Sequence, residues 1–76
     1  MNRLNFLPNY LPYQGELTWK NLAFNANLQE FAGRVNWISE LANTGEISPE
    51  ESFNQIELLW EKLTLSKEQL GIGGAR

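Results

Sequence analysis

The stretch Asn43-Thr44-Gly45-Glu46-Ile47-Ser48-Pro49-Glu50-Glu51 restricts the fold of this chain more than any other segment. Gly45 can take the left-handed conformation that closes a helix. Ser48 then offers the short acceptor side chain of an N-cap. Pro49 stands at the first helical position, where its missing N–H costs nothing, and Glu51 stands where it can reach back to the cap. Glu50 and Glu51 also place negative charge at the positive end of the helix dipole. A stop and a start this close together make the two flanking helices fold back as an antiparallel hairpin.

The flanks carry the matching periodicity. Over 19–43, with Thr18 as N-cap, Phe24, Leu28, Phe31, Val35, Ile38 and Ala42 recur at three- and four-residue steps and share one face. Glu30 and Arg34 add a favourable i,i+4 pair. Asn27 with Glu30 could form a capping box and break this helix near residue 26, but the continuous helix is the preferred reading. The second helix presents Phe53, Ile56, Leu59, Trp60 and Leu63 as its core face. Either it runs on through Leu70, since Ile56, Leu63 and Leu70 are seven apart, or Ser66 recaps a short third helix with Gln69 reaching back. Gly71, Gly73 and Gly74 end the order.

In front of the hairpin lies Phe6-Leu7-Pro8-Asn9-Tyr10-Leu11-Pro12-Tyr13. The two prolines exclude an ordinary helix and hold Leu7 and Leu11 extended, and Gly15 marks a turn. The expected architecture is all-α. It has an extended aromatic and proline-bearing arm over 1–17, packed on a helical hairpin over 18–70, and a flexible tail over 71–76.

The apolar residues outnumber the places on one seam. Trp37 falls about 140° from the centre of the first helix's apolar stripe, near Ala23 and Ala26. Leu58 and Leu65, seven apart, point away from the Phe53–Ile56–Leu63 face. A small domain seldom leaves such surface open. Either the arm lies over Trp37 or over Leu58 and Leu65, or these surfaces dock on a partner protein or a second copy, or the whole arm is disordered. Tyr and Trp suit docking because they bury much area with few rotatable bonds. The candidate protein-binding residues are therefore Phe6, Leu7, Tyr10, Leu11, Tyr13, Trp37, Leu58 and Leu65. Asn21 and Asn25 join them, because asparagine is a poor helix-interior residue whose amide competes for backbone hydrogen bonds.

Composition narrows the chemistry. The 76 residues make one small domain with no cysteine or histidine, and all nine acidic residues are glutamates. No disulfide, thiolate metal site or histidine base is available. Glu57 and Glu61 share a face, but the helical di-iron pattern needs Glu-x-x-His. The serines have no histidine to activate them, and Gly71-Ile72-Gly73-Gly74 lacks the strand and the Gly-Lys-Ser/Thr ending of a phosphate loop. Six scattered basic residues in a chain of net charge −3 make no nucleic-acid stripe. No apolar run approaches the ~20 residues of a membrane span, and no spacing specifies a cofactor. The reading is a non-enzymatic interaction module in the cytoplasm, an adaptor or accessory subunit of a larger assembly. The alternative is a self-associating protein whose hairpins pair as a four-helix-bundle homodimer.

The blocks Asn21-Leu22-Ala23-Phe24-Asn25-Ala26-Asn27-Leu28-Gln29-Glu30-Phe31-Ala32, Gly45-Glu46-Ile47-Ser48-Pro49-Glu50-Glu51 and Leu70-Gly71-Ile72, with the arm, resemble a family of small conserved cyanobacterial proteins of uncharacterised function. The resemblance spans roughly residues 6–72. It brings no catalytic residues. It implies a cytoplasmic or thylakoid-facing setting, with peripheral thylakoid association and an accessory role near the photosynthetic apparatus.

Overall fold

The computed structural model describes residues 15–73. Two helices, α1 (Trp19–Asn43) and α2 (Pro49–Leu70), pack side by side as an antiparallel hairpin. The expected anchors Phe6, Leu7, Tyr10, Leu11 and Tyr13, and residues 74–76 of the tail, lie outside the described residues.

Each helix end is closed by its own sequence. Thr18 Oγ1 accepts the Asn21 N–H at 3.1 Å, so one free donor of the first turn of α1 is satisfied. Ser48 Oγ accepts the Glu51 N–H, and the Glu51 carboxylate accepts the Ser48 N–H, both at 3.0 Å. This is the reciprocal capping box expected from Ser48-Pro49-Glu50-Glu51. At the far ends, Glu46 N–H donates to Leu41 O and Ile72 N–H to Lys67 O, while Gly45 and Gly71 take φ of +82° and +73°. Both helices thus end in the same glycine-centred closure, in which the chain turns left-handed and consumes the last free carbonyls.

α1 is unbroken through Asn27, in line with the continuous reading. α2 is also unbroken, and it runs to Leu70. There is accordingly no third helix among the described residues. Ser66 sits inside α2, where its Oγ accepts the Asn27 Nδ2–H across the seam at 2.6 Å rather than capping anything.

The core face expected on α2 needs correction. Ile38 and Leu63, 4% and 7% exposed, are the buried apolar side chains among the described residues. Ile56 and Leu59 are half-buried, but Phe53 and Trp60 are 65% and 58% exposed. The reason is geometric. α2 carries three apolar rows at seven-residue steps, Phe53–Trp60, Ile56–Leu63–Leu70 and Leu58–Leu65, and the seam takes only a narrow stripe, here the Ile56–Leu63–Leu70 row with the adjacent Leu59. The middle row meets α1, and the other two fall on opposite flanks. On α1 Phe24, Phe31, Val35 and Ala42 are half-buried beside the buried Ile38, as expected, and Leu28 is left on the flank.

Two glycines test this account with opposite signs. Gly45→Ala forces a side chain into the left-handed region and is expected to cost ~1–2 kcal/mol. Gly33 is helical, and an added Cβ would meet nothing within 4 Å. Gly33→Ala should therefore stabilise by ~0.5–1 kcal/mol. Urea unfolding followed by circular dichroism reads both shifts.

Candidate docking groove

The convergence of Trp37, Leu58 and Leu65 defines the main surface feature. Trp37 comes from the second half of α1, and the two leucines stand two turns apart on α2. The antiparallel packing brings all three to the same flank, around a groove of about 520 Å³. Ile38 and Leu59 contribute to its floor and connect it to the seam, while Arg34, Gln55, Glu61 and Lys62 supply the polar lining. The three apolar side chains keep 59%, 59% and 53% of their surface exposed, so the hairpin by itself does not bury them. The sequence placed Trp37 and the Leu58–Leu65 row away from the core as separate features. The structure joins them, because the antiparallel packing sets Trp37 of α1 and the Leu58–Leu65 row of α2 around one groove.

A second depression of about 300 Å³ continues along the same flank and shares Arg34, Leu59 and Lys62 with the first. Glu30 lines it and pairs with Arg34 Nε at 3.0 Å. The groove flank thus holds two cations, Arg34 and Lys62, and two carboxylates, Glu30 and Glu61, around an apolar centre. Arg34, Glu61 and Lys62 were not among the residues selected from sequence as a binding set. Their signal was positional, since Lys62 lies between Leu58 and Leu65 on the helix surface.

The opposite flank carries Leu28, Phe53 and Trp60. Trp60 meets Phe31 edge-to-face, with ring centroids 6.1 Å apart and planes inclined at 62°. Asn21 shares a row with Leu28, seven residues on. Its Nδ2 donates to the Glu16 carbonyl at 3.3 Å and so holds the segment that leads into α1. Asn25 is half-buried and points well away from the groove. Neither asparagine joins Trp37, Leu58 and Leu65.

A family model, described as a family of unknown function (DUF7219), matches residues 17–76. The chain belongs to the DUF7219 family. The matched span takes in both helices, the Thr18 and Ser48 caps, and every described residue of the groove. No curated protein and no solved structure matches the chain. Among the described residues, no three His, Cys, Asp or Glu side chains gather as a metal-binding group, and no helix is long and apolar enough to cross a membrane.

The hydrogen bond from Asn27 to Ser66 crosses the seam between the helices that form the groove. A double-mutant cycle with Asn27→Ala and Ser66→Ala should return a coupling of ~0.5–1 kcal/mol in urea unfolding. Zero coupling would mean that apolar packing alone sets the register.

Proposed function

We propose that this protein is a non-enzymatic protein-interaction module, an accessory or adaptor subunit that docks another polypeptide in the Trp37–Leu58–Leu65 groove. The convergence of three large, half-exposed apolar side chains on one flank carries this reading. An apolar centre ringed by a few charged side chains is the usual anatomy of a protein interface, and Trp is a favoured anchor within one. The arm over 1–17 belongs to the same reading. Asn21 ties Glu16 on the flank of Leu28, away from the groove. The cytoplasmic setting, with the thylakoid face as the place of docking, follows from the sequence resemblance rather than from the groove.

A photo-reactive side chain at position 58 should give covalent adducts in native extract, and the same group at position 53 should give far fewer. Leu65→Glu should abolish the position-58 adducts while circular dichroism still reports two helices. Equal labelling from both positions would count against a groove-mediated role.

A further inference from the structure

Resting on that reading of the groove, we infer that its occupant is a second copy of this chain, with the two hairpins packed groove to groove about a two-fold axis. Three observations converge on this partner. The first is the spacing on α2. A helix in a four-helix bundle touches two neighbours and needs an apolar row for each. Ile56, Leu63 and Leu70 form the row toward α1, and Leu58 and Leu65 repeat the same seven-residue step outside the seam, as Phe53 and Trp60 do on the other flank.

The second is charge. Two copies of a chain of net charge −3 repel each other unless they meet through a neutral patch. The groove flank is such a patch, since Arg34 and Lys62 balance Glu30 and Glu61. A two-fold axis makes contacts reciprocal, so a Lys62–Glu61 pair across it forms twice. A strongly acidic or basic partner would meet a like charge on this rim whichever way it docked.

The third is area. Trp19 lies about five turns before Trp37 and on the same bearing, and it is 69% exposed. Trp19, Trp37, Leu58 and Leu65 together present roughly 500 Å² of apolar surface, taking ~150–250 Å² for a full Trp and less for a Leu. A standard interface takes ~800 Å² from each partner, a little over half of it apolar. The groove flank therefore comes close to the apolar share of one standard interface.

Sedimentation velocity on the unaltered chain tests the inference without any risk of misfolding. A dimer at tens of micromolar is expected, and a monomer across that range overturns it. Disulfide trapping then locates the interface, because the chain has no cysteine of its own. Leu58→Cys and Leu65→Cys should give covalent dimers under mild oxidation much faster than Phe53→Cys on the opposite flank. Trapping that is equal or faster at position 53 would place the interface elsewhere and also overturn it. A monomeric chain that still forms position-58 adducts with another protein in extract would remove the second copy and leave the docking reading intact.

Discussion

The hairpin rests on a single line of contact between α1 and α2, with Ile38 and Leu63 sealed inside it. Two helices side by side have one seam, and a seam takes only a narrow stripe of side chains from each. The remaining apolar side chains are therefore pushed outward, however hydrophobic the chain is as a whole. For a domain this small that is a severe constraint, because burial is the main favourable term and little of it is realised within the pair. The groove beside Trp37 and the aromatic flank beside Trp60 are two results of the same shortage of seams.

The division of labour between local and tertiary signals explains what could be read in advance. Helix ends were legible because capping is written in a few adjacent residues. Ser48, Pro49 and Glu51 carry their own donors, acceptors and fixed φ, and Gly45 carries its own conformational freedom. Their geometry depends little on what packs nearby. The rotation of each helix about its axis was not legible to the same degree. Phe53 and Trp60 fit a helical stripe as well as Leu59 and Leu63 do, and periodicity alone cannot rank three parallel apolar rows. The choice was made between helices by Asn27 reaching Ser66 and by Ile38 filling the centre. Such cross-seam contacts have no signature in either helix read alone.

The same limit shaped the reading of the surface. Trp37 and the Leu58–Leu65 row were each identified as surplus, and each does lie outside the seam. Their convergence became visible only once the two helices had been set against one another. Asn21 shows the reverse case. As a poor helix former near a helix start it was a plausible holder of backbone, and it does hold the Glu16 carbonyl. That role ties the lead-in segment to its own helix and takes Asn21 away from the surface where the apolar residues gather.

The self-contained turn between α1 and α2 bears on how the molecule comes together. With Gly45, Thr44 and Ser48 completing both helix ends, the link needs no support from distant residues. The first contacts between the helices bridge short loops, which close quickly and at low entropic cost. Pairing then spreads from the turn toward the pole where Lys20 lies beside Gly71. Contacts at the Trp37 and Leu58 end of the groove therefore close shorter loops than those at Leu65.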